Sequence, residues 1–173
     1  MWIWTSWRGK SLVSESFVVN ASPLIYLAHA DLFPLLQSVG SPIRIPWAVR
    51  AEIQRRGPGD PTVRAIEAAS WLEQVEPPET SPRVEAWGLG PGETSVLSWA
   101  LLHSGCLAIL DDLAGRRCAQ FLGIPLMGTL GLVLRAKRTG EIPAARPLVE
   151  KLRDAGMYLS DRVLEPALRL VGE

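Results

Sequence analysis

Lysine is scarce in this 173-residue chain: of its 18 Lys and Arg residues only Lys10, Lys137 and Lys151 are lysines. Acids match bases, so the formal net charge is +0, which excludes capture of nucleic acid by a broad positive field. Any polyanion site must therefore be local. Arginine suits bidentate phosphate contacts, although genome composition produces the same bias. Two cysteines, Cys106 and Cys118, make no disulfide framework, and the cytoplasm is the expected compartment. No apolar run approaches the roughly 20 residues of a membrane helix, so no membrane partner is expected. Zinc-protease and Walker A motifs are missing. The glycines at Gly88, Gly90 and Gly92 have the wrong spacing for a dinucleotide fingerprint. The two histidines, His29 and His103, have no partner at ligand spacing and read as helix-end residues.

Apolar side chains, by contrast, make up 47% of the residues, enough for one well-packed domain and too many for a disordered chain. Residues 17–173 read as that domain. Residues 1–16 read as an arm, carrying three of the seven tryptophans but no basic stretch ahead of a long apolar core, hence no signal peptide.

Short apolar runs alternate with helical patterns along the domain. Strands are expected at 17–20, 43–45, 71–75, 107–110 and near 126–127. The first helix is expected to start with Ser22 as cap and Pro23 at its first position. Helices are also expected over 31–39, 47–56, 61–69 and 93–103 and after residue 112. Residues 76–82 read as a proline-rich loop. Three helical patterns close the chain, split near Gly140 and Gly156. Five strands alternating with helices imply an α/β fold with a parallel, doubly wound sheet and helices on both faces. The closing helices carry Leu148, Leu152, Leu159, Val163, Leu164 and Leu168, enough apolar surface to cover the sheet and extend a homodimer face.

Leu107–Thr129 is the most informative stretch. An apolar run ends in Asp111 and Asp112, an arginine-bearing helix follows, and a second apolar run ends in Gly128-Thr129. In parallel sheets chemistry gathers at the carboxyl ends of strands, and adjacent acids there suit a hard divalent cation. Asn20 ends the first strand, Glu52 lies on the helix after the second, and Glu93 opens the helix before the fourth. If strands one and four are neighbours, Asn20 and Asp111 stand side by side, with Glu52 and Glu93 leaning over the same crevice. Structural roles compete for each residue. One aspartate of the pair can cap the following helix. Glu93 suits a first turn for electrostatic reasons alone. Glu52 can be a solvated acid beside Arg55 and Arg56, Asn20 can be a turn residue, and Arg116 and Arg117 cannot share a helix face.

Five pieces in order, Val18–Ile25, Ile45–Ile53, Gly90–Thr94, Ala108–Asp112 and Met127–Gly131, closely resemble the PIN-like nuclease superfamily. The resemblance is to its prokaryotic VapC-related branch, formerly a domain of unknown function, and spans about residues 17–172. It implies a compact three-layer α/β sandwich. It also implies a metal-dependent endoribonuclease, often the toxin of a toxin–antitoxin pair, with RNA as substrate and a small antitoxin protein as possible partner. By that resemblance Glu52, Glu93 and Asp111 are the catalytic acids. Asn20, Glu93, Asp111 and Asp112 are the candidate ligands of Mg²⁺ or Mn²⁺, and Ser22, Arg116 and Thr129 are candidate substrate contacts. Gathered carboxylates repel unless a cation or a shared proton intervenes. A divalent ion among them would acidify a water and offset charge developing at phosphorus. Asn20 departs from the pattern, because the family places an acid there. The amide keeps an oxygen ligand but removes a negative charge, so weaker metal binding is expected. A degenerate domain that binds RNA or a protein without cutting is the alternative. A phospho-acceptor receiver is disfavoured, since its acids would follow strand one and a lysine strand five.

Overall fold

A computed structural model describes residues 16–76 and 79–173, so nearly all of the expected arm lies outside the described residues. The first strand, β1 (Ser16–Val19), has Phe17, Val18 and Val19 all buried, as befits a parallel strand covered on both faces. It leads directly into α1 (Ala21–His29), with Asn20 as the junction. Ser22 is therefore not the cap. It lies in the first turn, with Pro23 one position further in. The shift has a simple cause: the N–H groups of a helix's first turn have no intrahelical acceptor, so proline is tolerated anywhere within that turn. A 3₁₀ helix (Phe33–Val39) replaces most of the expected second helical piece and packs against α1.

The second strand, β2 (Ile43–Pro46), precedes α2 (Trp47–Gln54). Then come α3 (Pro61–Ala68), β3 (Leu72–Val75), the short α4 (Pro82–Glu85) and α5 (Pro91–Leu102). The turn of helix at α4 was not expected, since four residues are too few to show helical periodicity. The remaining elements are β4 (Cys106–Ile109), α6 (Leu113–Leu122), β5 (Leu126–Met127), α7 (Thr129–Thr139), α8 (Arg146–Asp154) and α9 (Asp161–Arg169).

The strands form one parallel sheet in the order β3-β2-β1-β4-β5. β1 pairs with β4 in the register Val18 to Ala108 and Val19 to Ile109. The strand order thus reverses at β1, with β2 on one side and β4 on the other. That reversal places the ends of β1 and β4 together, as expected from Asn20 and Asp111. All four residues of β4 are buried, whereas Glu73 and Gln74 of the edge strand β3 are exposed. Helix α5 lies over β4, β1 and β2 and packs on α2. Helix α8 packs on α1 and α7. In the closing helices Leu152, Leu164 and Leu168 are buried and Leu148 and Val163 pack half-buried against the core, whereas Leu159, expected on a helix, packs half-buried from the connection between α8 and α9. Most of their apolar surface is therefore used within the chain.

Asp60 ties the α2–α3 connection. It accepts from the Thr62 amide at 2.8 Å as the cap of α3, and Arg56 Nε lies 2.7 Å from its other oxygen. Burial opposes the charge, but the Thr62 bonds and Arg56 outweigh it and hold the carboxyl below its ordinary range. Asp60→Ala is expected to cost about 1–2 kcal/mol, the usual worth of a cap. Asp60→Asn, which keeps an acceptor for Thr62, should cost less. Urea unfolding at neutral pH measures both. The depressed pKa means that the stability from Asp60 is present above the ordinary carboxylate pKa and is lost as pH falls through the lower folded value.

Candidate acidic site

At the carboxyl end of the sheet, β1 stops with the Asn20 amide donating to the Ile109 carbonyl at 2.9 Å, which extends the β1–β4 ladder by one step. The Asn20 side chain is fully buried and does not cap α1. Its Nδ2 donates to Glu93 Oε1 at 2.9 Å, while its Oδ1 is buried without a hydrogen-bond partner. A buried amide oxygen left in that state costs free energy unless a ligand satisfies it.

Gly92 shows what the oxygen faces. A Cβ built there would lie 3.0 Å from Asn20 Oδ1 and 3.0 Å from Glu52 Oε2. The glycine therefore leaves a gap lined by two oxygens from different elements. Glu93, the next residue, brings a third side chain to the same place, half-buried in the first turn of α5. Proline at the first position of α5 and glycine at the second set this approach. Burial raises the pKa of Glu52 and the neighbouring Glu93 raises it further, with Arg55 and Arg56 opposing. Two like charges, Glu52 and Glu93, thus act on each other here.

The two aspartates after β4 diverge. Asp112 is exposed and caps α6, with Oδ2 accepting from the Gly115 amide at 2.9 Å. It stays near the crevice, because a Cβ at Gly115 would lie 3.5 Å from Glu93 Cγ and 3.8 Å from Asp112 Oδ2. Asp111 turns toward β5. Its Oδ1 accepts from the Thr129 amide at 2.8 Å and its Oδ2 from Thr129 Oγ1 at 2.6 Å. Enclosure raises the Asp111 pKa, against the lowering effects of the Thr129 bonds and of Arg116. Arg116 is half-buried and bonds the Leu110 carbonyl at 3.3 Å, beside rather than inside the acidic gap. Ser22 is half-buried in the first turn of α1. Among the described residues no group of three or more His, Cys, Asp or Glu side chains is placed to hold a metal ion. The gap uses Asn20, Glu52 and Glu93, and the amide oxygen is its most deeply buried donor.

A family model described as DUF3368: PIN domain matches residues 16–173, nearly the whole chain. The chain belongs to this PIN-domain family. No curated protein matches it. PIN domains are generally nucleases, so this one carries a nuclease-type α/β fold, and nucleic acid is the class of substrate that the family implies. No helix among the described residues is long and apolar enough to cross a membrane. Within this PIN domain the acid positions expected from sequence divide into two places. Asn20, Glu52 and Glu93, with Asp112 nearby, face the gap at Gly92, and Asp111 with Thr129 faces the β5 side. Two residues were missed, Gly92 and Gly128. Each lets side chains approach where a Cβ would not fit, and the only hint in the sequence was their position beside Glu93 and Thr129.

Proposed function

We propose that this PIN domain is a metal-dependent endoribonuclease of the toxin type, with Asn20, Glu52 and Glu93 around a Mg²⁺ or Mn²⁺ ion. The supporting observation is the orphaned, buried Oδ1 of Asn20, which faces Glu52 across the opening at Gly92. A hard cation suits this all-oxygen donor set. When bound, the ion would activate a water and offset charge at the phosphorus undergoing attack. The protein's own part is positional. The ladder bond from Asn20 to Ile109 fixes one ligand, and Asn20 Nδ2 orients Glu93. Glu52, the exposed acid at this place, has its pKa raised by desolvation and by Glu93 and is the side chain that would accept a proton from an attacking water. Asp112 supports the edge of the crevice. Asp111, the remaining acid of the family pattern, and Arg116 would meet the RNA beside it, with Thr129 orienting Asp111.

Gly92→Ala tests the reading. The added methyl would lie 3.0 Å from Asn20 Oδ1 and Glu52 Oε2 and push them apart by a few tenths of an ångström, offsetting the up to about 1 kcal/mol that alanine gains over glycine within a helix. We expect calorimetric Mn²⁺ binding to disappear and RNA cleavage to fall at least about a hundredfold, with circular dichroism showing the fold retained. Full Mn²⁺ affinity in Gly92→Ala, or cleavage that ignores EDTA, would remove the metal from this place.

A second reading has its own support. Asn20 Nδ2 already donates a hydrogen bond to Glu93, so the crevice is partly satisfied without a cation. On that reading the domain binds RNA or a partner protein, such as a small antitoxin, without cutting. A homodimer belongs to the same proposal, and its face would have to use side chains left exposed, such as Leu113 and Phe121 on α6. Sedimentation showing only monomer at high micromolar concentration would discard it.

A further inference from the structure

On the β5 side of Asp111 lies a cleft of about 270 Å³, distinct from the gap at Gly92. It falls at the small end of ligand pockets, the size for one ring system rather than an extended chain. Asp111 and Arg116 form its polar end, with Gly128 between them. A Cβ at Gly128 would lie 2.8 Å from both Asp111 Oδ1 and Arg116 Nη1, so the glycine lets the cleft reach these groups. The walls are apolar, with Met127 and Met157 among them. Tyr26 and Tyr158 bring aromatic rings from distant parts of the chain, and Tyr158 is 90% exposed.

The hydrogen-bonding capacity at the polar end is only partly used. A guanidinium has five N–H donors. Among the described residues Arg116 uses one of them, toward Leu110. Each oxygen of Asp111 accepts once from Thr129, which leaves one further lone pair on each. The matching ligand is therefore a flat body whose edge carries an acceptor beside two adjacent donors. The guanine edge has this order: O6, then N1–H, then the N2 amino group. Adenine and cytosine offer the carboxylate a single donor group, and uracil has one N–H between two acceptors. Two N–H donors on one carboxylate form a charge-assisted pair, the strongest arrangement available here. Single-stranded RNA is commonly read in this way, through splayed bases stacked on aromatic side chains and bonded at their Watson–Crick edges.

We propose that this cleft is a guanine pocket, with Asp111 accepting N1–H and N2–H, Arg116 donating to O6, and tyrosine covering the ring. Gly128 follows β5 and Asn20 ends β1, two strand spacings apart, which is about 10 Å. One RNA strand can lie across both places. The pocket would then set a guanine close to the scissile phosphate, and this consequence rests on the nuclease reading.

The test titrates the full chain with GMP, AMP, CMP and UMP in EDTA by calorimetry, which takes the metal gap out of play. GMP is expected to bind at least about tenfold more tightly than the other three, because a site built around base donors rejects analogues lacking them. Asp111→Asn should abolish that preference. Tyr158→Ala, at an exposed position that leaves the core intact, should weaken GMP about tenfold through lost stacking. Arg116→Ala should weaken it similarly, whereas Gly92→Ala should leave it unchanged. Equal binding of all four nucleotides, no binding of any, or GMP affinity untouched by Tyr158→Ala and Arg116→Ala would overturn the pocket. Cut-site mapping separates the two readings. GMP selectivity without RNA cleavage keeps the pocket and removes the nuclease, and metal-dependent cleavage with no guanine at a fixed offset keeps the nuclease and removes the pocket.

Discussion

Asn20→Asp is expected to tighten Mn²⁺ or Mg²⁺ binding by about one to two orders of magnitude and to raise RNA cleavage with it. The substitution is nearly isosteric and converts the orphaned amide oxygen into a charged ligand facing Glu52. An added charge about 4 Å from a cation is worth up to about 4 kcal/mol per unit charge at the dielectric usual near a protein surface. Desolvation and repulsion from Glu93 take back a good part. The remainder, about 1.4–2.8 kcal/mol, corresponds to tenfold to a hundredfold in affinity. The metal-free protein should respond in the opposite direction. The variant loses the Asn20–Glu93 bond and sets two carboxylates together, so its melting temperature in EDTA should fall and recover with Mn²⁺. Gly92→Ala in the same background should abolish the gain in affinity, because the methyl fills the place both changes act through. Unchanged metal affinity in Asn20→Asp would show that Asn20 is not a ligand, and silence of both proteins toward RNA would favour the binding-only reading.

The second large effect concerns stability. Thr129 is fully buried and supplies both hydrogen bonds to the Asp111 carboxylate. Thr129→Val keeps the shape and the backbone donor but deletes the hydroxyl at 2.6 Å from Oδ2. Leaving the carboxylate short of a donor should cost about 1–3 kcal/mol once Asp111 is ionised. The cost should depend on pH in a defined direction. Burial raises the Asp111 pKa in the fold, and the Thr129 bonds restrain that rise. For a raised carboxyl, the stability it contributes is fully present below the ordinary carboxylate pKa and is lost as pH rises through the folded value. Removing the hydroxyl lifts the folded value further, so the variant's penalty should be small near pH 3.5 and should grow with pH until Asp111 is ionised in both proteins. Urea unfolding in EDTA at several pH values reads this directly. A penalty that is constant with pH would mean that the hydroxyl acts through packing and not through the carboxylate.

Much of the fold was legible because its determinants are local or periodic. The buried strands β1 and β4 are short apolar runs that end in polar residues. Their adjacency followed from asking which order brings Asn20 to the aspartates. The start of α1 was misplaced because proline fits any first-turn position. Only the observed join of β1 to the helix shows that Asn20, not Ser22, is the junction. The site was legible in its membership but not in its division. Two neighbouring aspartates look alike in sequence. Which one caps α6 and which one meets Thr129 depends on where β5 delivers its end, 18 residues further on. The close approach of side chains at Gly92 was invisible for a similar reason, because a glycine's part in a site is defined by side chains from elsewhere. Tyr26 and Tyr158 reach one cleft from opposite ends of the chain, a juxtaposition that no spacing rule predicts.

The placement of β1 between β2 and β4 has a kinetic consequence. The central strand finds its second neighbour about 90 residues later, at Cys106–Ile109. Contacts of such sequence separation make a chain slow to fold, because loop closure must precede the pairing. During synthesis, a nascent chain that has emerged only as far as Glu93 holds Asn20, Glu52 and Glu93 but not the strand that fixes the end of β1. The crevice can therefore mature only once β4 has left the ribosome, which on the nuclease reading keeps the nascent chain inactive toward its own message until synthesis is well past Ile109. Pulse proteolysis of stalled nascent chains should show protection of β1 appearing only in lengths that extend well past Ile109.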